Sequence, residues 1–324
     1  MRLLQGICAS AGQAVGGGSV ADLFEARERG KAMSIFMLGV ILGPAIAPLI
    51  GGYVDQYAGW RWIFYIKTII GGVILVLNFF FLDETLYNPS GSDLPAPVTF
   101  REKLARLKFN PFKSLALLLR PVVILTNIPL AVTFGWFYLL ITVLPVGFGS
   151  HYGFSTGTIG LCFIASGIGN CFGSIVGGMV SDKLYNWRTQ QKENADKKED
   201  RLLAIYIAAP FIVAGYLIYG WTLRYEVFWF VPLLGFCIMA FGMMFATTVG
   251  TTYLVDSHLP LSASVVSVSN FARNLMAMMF SLLAVQVRTS LGDGWTYTCA
   301  ALILLVLYLV CIPIVQLKGQ SWRN

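Results

Sequence analysis

The stretch GVILGPAIAPLIGG, Gly39 to Gly52, decides how the rest of the chain is read. Small residues recur at every fourth position: Gly39, Gly43, Ala47 and Gly51. On a helix that spacing lays down one smooth stripe, against which another backbone can approach closely. Pro44 and Pro48 interrupt the same apolar run. In water such a segment is a poor helix. In a bilayer proline is tolerated, because neighbouring helices and local adjustments satisfy the carbonyls it frees. The stretch therefore predicts a bent membrane helix packed on a partner.

Composition agrees. Of 324 residues, 56% are hydrophobic and only 12% charged, against about 25% charged in a soluble domain. That deficit and the long apolar runs predict an integral membrane protein. The net charge of +7 does not point to nucleic acid, because the basic residues fall mostly in loops between apolar spans, where they set topology. Cys8, Cys162, Cys171, Cys237, Cys299 and Cys311 all lie in apolar spans and form no CxxC pair. They read as small hydrophobes, neither a disulfide framework nor a metal site.

Nine spans of about the length a crossing helix needs are expected at Met1–Val20, Ala32–Tyr53, Trp62–Leu82, Pro121–Leu144, Thr158–Val180, Leu202–Trp221, Phe228–Val249, Ala263–Val287 and Thr296–Leu317. With the loop Ala21–Lys31 inside, the inner loops and tail hold 17 Lys and Arg, and the outer loops hold Arg61, Arg224 and Arg288. This asymmetry places the C-terminus in the cytosol. In the central loop, Phe100, Leu104 and Leu107 recur at helical spacing among Arg101, Lys103, Arg106 and Lys108. That pattern fits either a short helix on the inner leaflet or a solvated linker. The segment Ser181–Arg201 mixes both signs of charge without interleaved aromatics and reads as a solvated loop.

Residues Gly43 to Gly52 resemble the antiporter signature GxxxGPxxGG of the major facilitator superfamily, with Ala47 in place of one glycine. RLLQG, Arg2–Gly6, resembles that family's fourth-helix motif RxxQG, and DETL, from Asp83, resembles the close of the sixth helix in fungal drug exporters. GGMVSDK, Gly177–Lys183, resembles the second-half copy of the gating loop motif GxxxDRxGRR, with Tyr185 where glycine is wanted. ADLFEARERGKA, Ala21–Ala32, resembles the loop after the fourth helix, and YLVD, Tyr253–Asp256, stands in the equivalent second-half place.

The resemblance implies an all-α membrane protein, a polytopic helical bundle of the major facilitator type with about nine transmembrane helices. These match the family's helices four to twelve. Residues 1–82 would form a partial N-terminal bundle, 83–120 a cytosolic central loop and 121–324 a six-helix C-terminal bundle. Three family helices would then be missing, through a truncated gene model or in a genuine short form.

The resemblance also names candidate residues. Gly39, Gly43, Ala47, Pro48, Gly51 and Gly52 carry the antiporter motif, while Arg2, Asp22, Arg29, Asp182, Asp256 and Arg273 are candidates for gating or coupling. Asp182 would cap the next helix and pair with a base on a neighbouring bundle, and Asp22 and Asp256 would be symmetry mates. Charges inside spans are costly and so read as functional. Asn270, Arg273 and Asn274 share a helix face by spacing, and with Gln13, Lys67 and Asn127 they are possible cavity residues. Asn78 and Asn170 are further buried amides, and Met239, Met243, Met244, Met276, Met278 and Met279 crowd two spans with Phe241, Phe245 and Phe280. Such adaptable surface suits varied apolar ligands or ordinary packing.

The family's drug:proton antiporter branch, fungal type, implies export of a small, largely apolar organic compound (drug, toxin or secondary metabolite) by alternating access. It needs a proton gradient and no cofactor. The partners would be the lipid bilayer, the cargo and protons, with no nucleic acid, at the plasma membrane. No GxxxxGK[ST], HExxH or GxSxG occurs, so neither ATP hydrolysis nor another enzyme activity is expected. The alternatives are a nutrient uptake symporter and a non-transporting remnant or sensor.

Overall fold

A computed structural model of the protein describes residues 6, 43, 46–81, 116–191, 198–258 and 262–323. Two compact units divide the chain, Met1–Val40 with Phe64–Lys113, and Ile41–Ile63 with Ser114–Asn324. Arg2, Gln13, Asp22, Arg29, Gly39, Pro44 and the amphiphilic stretch 100–108 lie outside the described residues.

Residues 46–58 form a helix that carries the second half of the opening stretch. Gly59 ends it at φ 85°, donating its N–H to the carbonyls of Val54 and Asp55. A left-handed residue satisfies the last carbonyls of a helix, and glycine adopts that conformation without steric cost. Helix α1, Trp60–Phe81, follows directly and is strongly apolar, with Arg61, Lys67, Thr68 and Asn78 gathered toward one side and none of its residues buried. At 22 residues it is long and apolar enough to cross a bilayer.

The larger unit is a bundle of long helices: α2 (Pro121–Tyr152), α3 (Thr156–Gln191), α4 (Ile205–Arg224), α5 (Phe230–Ser257) and α6 (Ser262–Arg323), with a 3-10 turn at Lys198–Ala204 leading into α4. Pro121 opens α2 at its first position, where a missing N–H costs nothing, and Gly153 closes it in the left-handed conformation. At about 1.5 Å per residue α6 would reach some three times the ~30 Å of a bilayer core. It breaks at Gly292, which is not helical (φ 71°, ψ 165°). Thr133 of α2 bonds Tyr308 of the second arm, and the nearby Gly135 faces Phe280 of the first. Both arms therefore lie at one level of α2, and α6 is a hairpin of two spans.

Six helices among the described residues are long and apolar enough to cross a membrane, against the nine spans expected. The sixth, α6, covers two of the expected spans. Met1–Val20 lies outside the described residues apart from Gly6, and Ala32–Tyr53 is described continuously only from residue 46. Helix α3 runs to Gln191, so the first half of the expected loop Ser181–Arg201 is helical. Its polar residues favour no break, and the apolar stretch ends before the helix does.

Small residues set the packing. The stripe Gly169, Gly173, Gly177 on α3 lies directly against the backbone of α5 at Cys237, Phe241 and Phe245. Gly215 of α4 meets Met239 of α5, and Gly235 of α5 meets Tyr219 of α4. A Cβ at Gly215 would stand 2.5 Å from the Met239 nitrogen. Lipid supplies no hydrophobic force between helices, so such close approach supplies the packing instead. The interior is aromatic: Tyr216, Tyr219, Tyr253, Tyr297, Tyr308, Phe148, Phe236 and Phe245 are fully buried.

Candidate functional site

Three features of the larger unit stand out: a close crossing near one end, a charge cluster at each end, and between them an arginine with no carboxylate partner among the described residues.

The crossing joins the helix of residues 46–58 to the first turns of α3. A Cβ at Gly52 would stand 2.5 Å from the Thr156 carbonyl oxygen, and one at Gly160 2.6 Å from the Pro48 carbonyl oxygen. Gln56 completes the contact. Its Oε1 accepts from the Gly157 N–H at 3.0 Å and from the Ser155 hydroxyl at 3.1 Å. Backbone N–H groups at a helix start have no partner within the helix, and here a side chain from another helix supplies one. Pro48, Gly52 and Gln56 follow at i, i+4, i+8, one residue round from the expected stripe. Gly43 and Ala47 are exposed, and a Cβ at Gly43 or Gly51 meets nothing within 4 Å among the described residues.

At the end where α3 and α5 finish, Arg201 joins the two acids expected to act in gating. Its Nη1 lies 2.6 Å from Asp182 Oδ1 and its Nε 2.7 Å from Asp256 Oδ2. Its guanidinium stacks 4.6 Å over the Tyr185 ring. That contact is what an aromatic residue provides where the family motif wants glycine. Lys198 Nζ donates to the Asp256 carbonyl at 2.7 Å, placing a cation at the negative end of α5. Asp182 thus pairs with the turn that follows its own helix and does not cap it. Asp182 is 64% exposed and Arg201 14%. Asp182→Asn is therefore expected to cost under about 1 kcal/mol, and Arg201→Gln, which loses both acids and the ring, distinctly more. Thermal unfolding of the two variants checks the order.

The opposite end carries a cluster that spacing did not reveal. Arg288 Nε and Nη2 hold Asp293 at 2.5 and 3.1 Å across the Gly292 break. His151, at the end of α2, lies 3.4 Å from Asp293 and 2.9 Å from Glu226 in the α4–α5 turn. Both partners are acceptors, so both contacts are met together only when both ring nitrogens donate. Tyr152 Oη adds a bond to the Val227 carbonyl at 2.6 Å. The cluster fastens three connections to one another.

Between these ends, Arg273 on the first arm of α6 donates to Asn270 Oδ1 and sits 5.8 Å over the Phe134 ring of α2. Asn274 is exposed. Asn127 is buried and engaged through both polar atoms: its Nδ2 donates to the Val123 carbonyl at 2.9 Å, and its Oδ1 accepts from Ser269. It ties α2 to α6. Lys67 is exposed on α1, with its Nζ 6.0 Å over the Phe64 ring. Asn170 is buried with no partner for its Oδ1 among the described residues. Met239 and Met243 are core residues, whereas Met278 and Met279 are exposed. An apolar cleft of about 260 Å³ opens between α3, α4 and α5, lined by Phe172, Phe211, Cys237 and Phe241 among others. It is smaller than the usual ligand cavity of roughly 300–1,000 Å³. Among the described residues no group of three His, Cys, Asp or Glu is arranged to hold a metal.

Comparison with known proteins fits this arrangement. Residues 1–281 match the family model described as Major Facilitator Superfamily. The chain is 36% identical to the MFS transporter fsa7 of Fusarium sp. (strain FN080326), over 91% of this chain and 60% of that protein. It is 33% identical to the efflux pump radE of Floropilus chiversii, over all of this chain and 63% of that protein. It is 36% identical to the MFS-type transporter MFS19 of Alternaria alternata, over 91% of this chain and 63% of that protein. The chain thus spans about three-fifths of the length of these relatives.

Proposed function

The chain belongs to the major facilitator superfamily, a multi-pass membrane family, and on that premise we propose that it works in export of a small, largely apolar organic compound, driven by proton antiport. The relative named as an efflux pump favours the outward direction. The observation that carries the reading is the crossing of the antiporter-signature helix on α3. There the backbones meet through Gly52 and Gly160, and Gln56 caps the α3 start. A contact made of glycines and two hydrogen bonds can part and re-form without tearing a side-chain core, as alternating access requires. In this reading the Gln56 end faces outward, the Arg201 cluster faces the cytosol at the plasma membrane, and the two charge clusters keep each end of the C-terminal bundle rigid while it rocks.

Cells expressing the protein are expected to accumulate less of a fluorescent apolar compound than cells without it, and a protonophore is expected to abolish the difference. Equal accumulation with and without the protein would remove export. A difference that survives the protonophore would remove proton coupling.

A further inference from the structure

At each end of the larger unit one arginine meets acids, Arg201 with Asp182 and Asp256 and Arg288 with Asp293, while Arg188 and Arg224 lie over the Trp187 and Trp221 rings near the helix ends. Arg273 is arranged differently. It stands eleven residues into α6, about 16 Å along the helix axis, close to the middle of a ~30 Å core. Among the described residues no carboxylate lies within ion-pair distance of it. Among the described residues its polar and ring partners are one amide oxygen, Asn270 Oδ1, and one ring face, Phe134. A guanidinium has five N–H donors and no acceptor, so most of its hydrogen-bonding capacity is left over. A charge at this depth is tolerated only where something compensates it. Headgroup phosphates lie at the membrane surface and do not reach mid-depth.

The surroundings suit a bulky apolar anion. Phe134 packs on Tyr138 with ring centroids 4.9 Å apart, making an aromatic wall beside the guanidinium. Asn274, the next residue on α6, adds an exposed amide about 100° round the helix from Arg273, whereas the exposed Phe271, Leu275 and Met278 lie on the opposite face and take no part.

We infer that Arg273, with Asn270 and Phe134, forms a subsite for an anionic group on the cargo (a carboxylate, sulfonate or enolate carried on an aromatic or apolar body). This rests on the transporter reading and narrows it to a substrate class. The guanidinium takes the anion through two parallel N–H donors, Asn270 orients the guanidinium, and the ring wall takes the apolar body.

The test is equilibrium binding to the purified protein in nanodiscs of zwitterionic lipid, with no gradient. The probes are 8-anilinonaphthalene-1-sulfonate and its neutral counterpart N-phenyl-1-naphthylamine. Arg273→Gln is expected to weaken sulfonate binding about tenfold or more while leaving the neutral probe within about twofold, and Arg273→Lys is expected to retain part of the difference. Partition into lipid is common to both proteins and cancels. In the unaltered protein, 1-naphthoate should displace the sulfonate probe about tenfold better than 1-naphthalenemethanol, which needs no variant to fold. Equal displacement by the two, unchanged sulfonate binding in Arg273→Gln, or equal loss of both probes would overturn the assignment. Binding without turnover separates this from the transport reading. Discrimination in nanodiscs with no efflux in cells would sink the latter alone.

Discussion

Gly173→Leu is expected to lower the thermal stability of the detergent-solubilised protein by several degrees and to reduce the folded yield. Even the first added carbon at Gly173 would overlap the Phe241 carbonyl, with the Phe241 Cα 3.0 Å away. The obstruction is backbone, so no rotamer change relieves it, and α3 must move off α5. Overpacking of this kind costs about 1–3 kcal/mol, and the upper end applies where backbone must shift. Gly178, five residues on in the same helix, is the internal control. Its nearest neighbour to an added Cβ is the Thr248 methyl at 4.0 Å. Gly178→Ala is expected to be neutral or mildly stabilising, because alanine favours a helix over glycine by roughly 1 kcal/mol. If both variants melt alike, the glycine stripe is not what holds these two helices together.

Gly160→Val should act on transport more than on stability. A Cβ there would stand 2.6 Å from the Pro48 carbonyl and 3.2 Å from the Leu49 Cα. The rest of α3 packs through a different face, so the bundle keeps its core while the crossing with the signature helix is pushed apart. Export is expected to fall tenfold or more, with insertion and melting temperature close to those of the parent. Wild-type export rates in Gly160→Val would detach this contact from the transport cycle.

How much of this was visible beforehand depends on the residue. The stripe Gly169, Gly173, Gly177 was legible, because a period of four small residues marks a close helix contact whatever the partner. Its partner, α5, was not, since pairing is set by the whole bundle. In the opening stretch the small positions run on two adjacent faces. Spacing favoured Gly43, Ala47 and Gly51, whereas Pro48, Gly52 and Gln56 make the described contact. One residue is about 100° of rotation on a helix, and the sequence does not choose between faces that are both small.

Asp182 and Asp256 stood out as helix-end acids in motif positions. Arg201 reads from the sequence only as a topology charge, although it binds both. The cluster of His151, Glu226, Asp293 and Arg288 joins residues 75 and 142 positions apart, and no local spacing records that. The GDG at Gly292–Gly294 carried a turn signal inside what folds as a hairpin. The helices also outrun their apolar windows, as α3 does to Gln191, because a polar extension stays helical after it leaves the lipid.

The central claim is that the signature helix and the start of α3 separate and rejoin during each cycle. Gln56 and Ser155 touch through their side chains at 3.1 Å, so the pair Gln56→Cys with Ser155→Cys can be bridged by a short bis-methanethiosulfonate cross-linker, whose disulfides a reductant opens. The most direct measurement is efflux before cross-linking, after cross-linking and after reduction, with the parent protein treated alike. The account predicts that the bridge forms, that efflux stops while it is closed, and that reductant restores it. Undiminished efflux through the fully cross-linked protein would contradict it.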